Sequence, residues 1–260
     1  MISLASPLPR LDLLGQSGCR FSFPGCTIYV DPYLSNSVQE LDAPDLERLV
    51  PIPVAAKNVF DADWVLLTHE HIDHCDPHTL RDLAVASPQA RFMGPEPVLR
   101  RLADWGIVGE RTALAAETWA ELSGGIKVHA VPAAHPEIRR DGAGRLECVG
   151  FVLEHSGRRV YIAGDTSVRE PVLEALIRLA PIEVAILPVN ERNWFRDRRG
   201  IIGNMSIREA FQLAIEVGVE SVIPVHWDMF AANAASPEEI QAVYAQMQPP
   251  FELLMQPRSP

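Results

Sequence analysis

The stretch 66-LLTHEHIDHCDP-77 sets three histidines and three acids directly after an apolar run. Burying unpaired polar groups costs several kcal/mol, so a strand end this rich in them calls for a ligand. If residues 69–73 stay extended, His69, His71 and Asp73 point to one side, and a helical turn starting there brings His74 round three residues after His71. Imidazole nitrogens and carboxylate oxygens are what Zn²⁺ and similar divalent ions bind, and an ion neutralises the buried acids. Glu70 falls on the opposite side by alternation. Cys75 differs in parity from Asp73 and reads as a packing residue.

On either side the chain alternates between strands and helices. Upstream, 62-ADWVLL-67 is a short buried strand, and 19-CRFSFPGCTIYVDPYL-34 reads as two strands around the Pro24-Gly25 turn. Residues 36–58 form a surface excursion with at most a helical turn. Downstream, Asp76-Pro77 opens a helix through about Ala86, and 95-PEPVLRRLADWG-106 is a second helix closed by Gly106. Strands follow in 125-GIKVHAVPA-133 and in a hairpin turned at Ser156-Gly157. The second half alternates 160-VYIAGD-165, the helix 170-EPVLEALIRLA-180, 184-VAILPV-189, the helix 206-SIREAFQLAIEVG-218 and 221-SVIPVH-226. Ser206 with Glu209 is a capping box, Gly218 closes that helix, and Ser236, Pro237 and Glu239 open another. A strand-rich first half followed by β/α units is an α/β layered sandwich, read as one domain over 1–260.

One tetrahedral ion needs about four ligands, and a catalytic ion keeps a position open for water. A second ion therefore needs further donors. Three lie just after apolar strands: His135, Asp165 and His226, and ligands delivered from the same ends of several strands are how sheet scaffolds build sites. His78, His129 and His155 lack such placement and read as surface or packing residues.

Composition narrows the function classes. The 260-residue chain is 47% hydrophobic and 22% charged, with net charge −11. That charge opposes general binding to nucleic acid or to an anionic membrane, which depends on clustered Lys and Arg. No run approaches the roughly 20 apolar residues of a membrane span. The opening MISLASPLPRLDLLG lacks the apolar core of a signal peptide, and the expected location is the cytoplasm. Cys19, Cys26, Cys75 and Cys148 show no CxxC spacing and read as reduced packing residues.

The order His69-x-His71-x-Asp73-His74, then His135, Asp165 and His226, resembles the metallo-β-lactamase superfamily over most of the chain. The segments LLGQSGCRFSF, IYVDPYLS, GNMSIREA and VIPVHWDMF resemble its branch around L-ascorbate-6-phosphate lactonase and metal-dependent hydrolases near it. The resemblance implies a four-layer αββα sandwich with a two-metal cleft at one edge of the sheets. By the same carry-over, His69, His71 and His135 hold one ion, Asp73, His74 and His226 the other, and Asp165 bridges. Aspartate at 165, where the best-known antibiotic-degrading subclass has cysteine, points away from that activity. Histidine at 71, where the flavo-diiron relatives carry glutamate, points away from oxygen reduction.

A dinuclear site of Zn²⁺, Mn²⁺ or Fe²⁺ would lower the pKa of a held water to about 7. Asp73, Asp165 and His226 would then serve catalysis as well as ligation, with Asp73 shuttling a proton. Asp31 either orients a ligand histidine or caps its Asp-Pro turn. Substrate contacts are expected from 190-NERNWFRDRRGIIGN-204, namely Asn190, Arg192, Arg196, Arg199 and Asn204, with Trp227. Its arginines suit phosphate or carboxylate, and Trp194, Phe195, Trp227 and Phe230 are candidate cleft walls. The expected activity is hydrolysis of a small anionic substrate, a phosphorylated sugar lactone first. The alternatives are a phosphodiesterase on a nucleotide or lipid head group, and a metal-stabilised binding protein. A homo-oligomer is a weaker expectation from the related lactonases.

Overall fold

A computed structural model describes residues 9–114 and 117–255. The leader reading rests mainly on residues 1–8, which lie outside them. Two sheets face each other. The first, in spatial order, comprises β1 (Arg10–Gly15), β2 (Gly18–Phe23), β3 (Cys26–Val30), β4 (Trp64–Leu66), β5 (Arg91–Gly94) and β6 (Arg111–Ala113). The hairpin strands β1 to β3 are antiparallel, and β3 to β6 are parallel. The second sheet contains β7 (Trp119–Glu121), β8 (Lys127–Pro132), β9 (Val149–His155), β10 (Arg158–Ile162), β11 (Val184–Pro188), β12 (Ser221–Val225) and β13 (Glu252–Leu253) in unbroken sequential order.

Side chains alternate across each strand, as a pleat requires. On β4, Trp64 and Leu66 enter the space between the sheets while Val65 turns outward, and on β10 Val160 and Ile162 do so while Tyr161 turns outward. The inter-sheet core runs from Leu11 and Phe21 to Phe151, Ile186 and Ile223. Helices cover both outer faces. α2 (Pro77–Ala86) and α3 (Glu96–Asp104) bury Leu80, Leu83, Val98 and Leu102 on the first sheet. On the second sheet α4 (Glu170–Arg178), α6 (Ile207–Val217) and α7 (Pro237–Met247) bury Val172, Leu176, Phe211 and Ile240. The result is the expected αββα sandwich.

Local signals explain the helix ends. Asp76 accepts a hydrogen bond from His78 N at 2.9 Å ahead of Pro77. Ser206 and Glu209 form the reciprocal capping box, and Gly218 closes α6 at φ 75°. The 36–58 excursion contributes only α1 (Ser37–Leu41) and one tight turn at Ala56–Asn58.

Phe151 is fully buried between the sheets. A Phe151→Ala chain is expected to lose about 3–5 kcal/mol, which a thermal melt followed by circular dichroism would read as a drop of roughly 10 °C. A shift of only a degree or two would contradict this packing.

Because β8 and β10 are each antiparallel to β9, while β10, β11 and β12 are parallel, strands β8, β10, β11 and β12 all end at one edge. The residues following them are His135, Asp165, Asn190 and His226. The first sheet reaches the same edge after β4, where Val149 N donates to Thr68 O at 3.0 Å. Gly164 permits that meeting, since a Cβ there would lie 2.8 Å from the Thr68 side chain.

Candidate metal centre

Beyond β4 the chain continues without regular structure to His69, bends at Glu70 and His71, then turns: His74 N and Cys75 N both donate to His71 O, at 3.0 and 2.7 Å. This turn swings His74 back beside His69, with ring centroids 4.3 Å apart. Three groups of ligating atoms form, each within 4.8 Å of one another: His69 with His71 and His135, Asp73 with His74 and His226, and His69 with His74 and Asp165. All seven expected ligands therefore meet in one cluster. Asp165 lies between its halves, with Oδ1 3.2 Å from His74 Nε2 and 3.3 Å from His226 Nε2, and Oδ2 3.6 Å from His135 Nε2.

The donor set fits ions rather than internal pairing. His69 Nε2 is buried without a hydrogen bond among the described residues, and the buried His74 Nε2 and Asp165 Oδ1 have no partners beyond the cluster's own ligand atoms, 3.2 Å from each other and 3.3 Å from Asp165 Oδ1 to His226 Nε2. Leaving such atoms unsatisfied costs about 1–3 kcal/mol each, and a divalent ion is the partner that accepts lone pairs from imidazole and carboxylate together.

Electrostatics point the same way. Burial opposes charge on His74, yet the carboxylates of Asp165, Asp73 and Asp31 hold it well above the ordinary histidine range. Burial likewise opposes His226, but Asp165 and Asp73 raise it to about 9. Burial favours neutral carboxyls, but His226 and His74 hold Asp165 well below the usual range. Burial and the neighbouring rings push His69 well down, and His135 falls to about 4, again chiefly by burial.

In the ion-free chain at pH 7, His74 and His226 thus hold protons that an ion must displace. Calorimetric titration in buffers of different ionisation enthalpy should show release of on the order of two protons. The sign follows from the raised values: affinity should climb as pH rises from 7 through about 9, as the rings of His226 and His74 give up their protons. Affinity independent of pH and buffer would contradict this.

Asp31 resolves to the ligand-orienting alternative. It is fully buried at φ 44°, and its Oδ2 lies 2.7 Å from His74 Nδ1. It also accepts from Thr68 N at 2.8 Å and Thr68 Oγ1 at 2.5 Å. The Thr68 hydroxyl in turn stands 3.0 Å from His69 Nδ1, so one carboxylate orients two ligand rings.

The cluster forms part of the wall of a cleft of about 630 Å³. His71, Asp73, His135, Asp165 and His226 line it; Val38, Leu46, Ile72 and Phe230 add apolar surface. Arg199 lines it too and pairs with Asp45 of the 36–58 excursion. The other expected substrate contacts do not line the cleft. Asn190 and Asn204 are buried and bonded to each other at 2.9 Å, clamping the ends of the arginine-bearing loop. Arg196 donates to the carbonyls of Glu191 and Ala234, and Arg192 pairs with Asp197, so both serve the loop's own structure. Trp227 is buried in the outer core with Nε1 bonded to Pro224 O. Within the loop, α5 (Trp194–Asp197) leaves Trp194 and Phe195 61% and 73% exposed, away from the cleft. Of the four candidate aromatic walls, Phe230 alone lines it.

Arg101 and Gln16 are polar groups of the cleft and cluster that carry no signal in the sequence. Arg101 on α3 lines the cleft beside Glu70, with which it pairs at 3.2 Å, and Glu70 is outside the three groups of ligating atoms. Gln16 lies against Asp73 and His226. Cys75 is a buried packing residue as expected, while His78 pairs with Glu40 at the surface, and His129 and His155 pack on Trp119 and Phe23.

The profile of the Beta-lactamase superfamily domain matches residues 27–227. The chain belongs to this superfamily. It is 30% identical to a metal-dependent hydrolase of Rubrobacter xylanophilus over 89% of this chain and 87% of that one. It is 23% identical to an N-acyl-phosphatidylethanolamine-hydrolyzing phospholipase D of Caenorhabditis elegans, over 84% of this chain and 63% of the relative. In structure it is similar to a metallo hydrolase of the archaeon Ignicoccus hospitalis, with TM-score 0.70 at 20% identity, covering 96% and 95% of the two chains. No helix among the described residues is long and apolar enough to cross a membrane.

Proposed function

We propose that this chain, a single domain over 1–260, is a metal-dependent hydrolase with two divalent ions, acting on a small anionic substrate, a phosphorylated sugar lactone being favoured. The observation that carries the proposal is the convergence of seven ligating side chains, several with buried unpartnered donor atoms, into one cluster of which five members line an open cleft. A purely structural site would close around its ion, whereas this one faces solvent. His69, His71 and His135 would hold one ion, Asp73, His74 and His226 the second, with Asp165 shared. When bound, the ions supply Lewis acidity and a water nucleophile ionised near neutral pH.

The chain's own groups supply the rest. Asp31 and Thr68 fix the two ring orientations, so ligand geometry does not reorganise during the reaction. Asp73, with its side chain 18% exposed against 5% for Asp165, is the acid placed to pass a proton from the cleft to solvent. Arg101 and Arg199 line the cleft and suit a phosphate or carboxylate by guanidinium pairing. The setting in view is cytoplasmic, with a free small molecule as substrate rather than nucleic acid or membrane, and a homo-oligomer is compatible with it.

A phosphodiesterase uses the same ligands, and the similarity to a phospholipase D favours it as the second reading. Paired assays after reconstitution with Mn²⁺ or Zn²⁺, on a phosphorylated sugar lactone and on bis-p-nitrophenyl phosphate, separate the two. Faster turnover of the lactone supports the first reading; turnover of the diester alone sinks it. Turnover of neither, nor of simple esters, would favour a binding protein.

A further inference from the structure

Gln16 sits in the loop between β1 and β2, 3% exposed and at φ 53°, a left-handed conformation uncommon outside glycine. His226, 210 positions further on, is also left-handed at φ 61°. The two are tied together, since His226 N donates to Gln16 O at 3.1 Å. Strained backbone of this kind persists where the surroundings over-determine it. Here the shared outcome is that both side chains arrive at one place.

That place is the half of the cluster made by Asp73, His74 and His226. The Gln16 amide nitrogen lies 2.6 Å from Asp73 Oδ2 and 2.9 Å from His226 Nε2, while Gln16 Oε1 is buried without a partner among the described residues. Neither orientation of this amide satisfies its surroundings in the ion-free chain. With nitrogen inward, Asp73 gains a donor and the oxygen is stranded. With oxygen inward, the oxygen opposes the Asp73 carboxylate. The choice between them is a matter of a half-turn about the last side-chain bond.

An ion removes the conflict. Donor atoms held about 2.1 Å from one ion stand roughly 3.0–3.5 Å from each other. Asp73 Oδ2 and His226 Nε2 are 3.4 Å apart, His74 Nε2 and Asp165 Oδ1 are 3.2 Å apart, and His226 Nε2 and Asp165 Oδ1 are 3.3 Å apart. The Gln16 amide nitrogen stands next to this set, 2.6 and 2.9 Å from two of its members, a hydrogen-bond spacing a few tenths of an ångström shorter than that between co-ligands. We propose that Gln16 is a further metal ligand, turning its carboxamide oxygen to the ion held by Asp73, His74 and His226. The inference rests on the two-ion reading and adds to it a chemical difference between the halves. The Gln16 half would offer three residues with oxygen donors, Gln16, Asp73 and Asp165, whereas the His69, His71 and His135 half is nitrogen-rich. Oxygen ligands suit Mn²⁺ more than they suit softer, lower-coordinate ions, so the Gln16 half is the Mn²⁺-preferring one.

The test compares Gln16→Leu with Gln16→Glu in the full chain stripped of metal, titrated with Mn²⁺ alone. Binding is followed by the loss of the free-ion electron paramagnetic resonance signal, and folding by circular dichroism. Leucine removes the oxygen and should weaken one of two Mn²⁺ sites at least tenfold while leaving the other within a factor of about three. Glutamate keeps an oxygen for the ion but cannot donate an N–H to Asp73, and should bind Mn²⁺ at least as tightly as the parent. If glutamate weakens binding as leucine does, Gln16 merely holds Asp73 by its N–H and the proposal fails. It fails equally if Gln16→Leu binds two ions like the parent. Should leucine prevent folding, the glutamate variant alone decides. A parent chain that takes up no Mn²⁺ and no Zn²⁺ would overturn the two-ion reading itself.

Discussion

An Asp165→Asn chain is expected to lose tight binding of both ions and, with them, essentially all hydrolysis. Among the described residues the Asp165 oxygens are the only carboxylate atoms within 4 Å of histidine nitrogens in both halves of the cluster, reaching His74 and His226 through Oδ1 and His135 through Oδ2. Asparagine keeps the shape but removes the negative charge and turns one oxygen into a donor facing imidazole nitrogens that should be lone-pair ligands. Removing a group that merely orients a ligand costs 10–100-fold in metal affinity or activity. Loss of a shared ligand should exceed that, so a fall of more than about 100-fold is expected in both. Metal content after gel filtration and turnover on the preferred substrate measure it. Retention of two ions at parental affinity would remove Asp165 from the centre.

The second large effect is expected at Asp31, which touches no ion. In Asp31→Asn the amide nitrogen would face two groups that now donate to the carboxylate, the Thr68 hydroxyl and His74 Nδ1, or else would face Thr68 N. Either way buried donors meet donors, at about 1–3 kcal/mol for each group left unsatisfied. The φ of 44° is one asparagine tolerates, so the backbone itself gives no reason for failure. Metal affinity should drop about 10–100-fold, and the thermal midpoint of the ion-free chain should fall as well. An Asp31→Asn chain indistinguishable from its parent in both would show that His69 and His74 are held by packing alone.

The ligand cluster was legible because its information is local. The spacing of His69, His71, Asp73 and His74 encodes an extended segment followed by a turn, and the turn is present with His71 O as its acceptor. His135, Asp165 and His226 were legible through their position after apolar strands, which the parallel run of β8, β10, β11 and β12 brings to one edge. The pattern predicts neither the six-residue β1 nor β5, β6, β7 and β13, which with two to four residues each are too short for alternation to rise above background. Their strand character comes from neighbours in the sheet rather than from their own pattern.

The arginine-bearing loop shows the opposite error, a compositional signal without geometry. Four arginines in an acidic chain invite an anion, yet Arg196 and Arg192 are spent on the loop's carbonyls and on Asp197. Only coordinates distinguish them from Arg199, which reaches the cleft. Gln16 was invisible for a different reason. A neutral amide carries no ligand signature, and its partners Asp73 and His226 lie 57 and 210 positions away. The flanking Gly15 and Gly18 in GQSG mark a tight turn but say nothing of what the turn presents.

The two-ion centre is tested most directly by anomalous scattering from crystals of the chain loaded with Mn²⁺ or Zn²⁺. Two peaks about 3.5–4 Å apart are expected, one among His69, His71 and His135 and the other among Asp73, His74 and His226, with the Asp165 carboxylate between them. A single peak, or peaks outside this cluster in a fully loaded crystal, would contradict it.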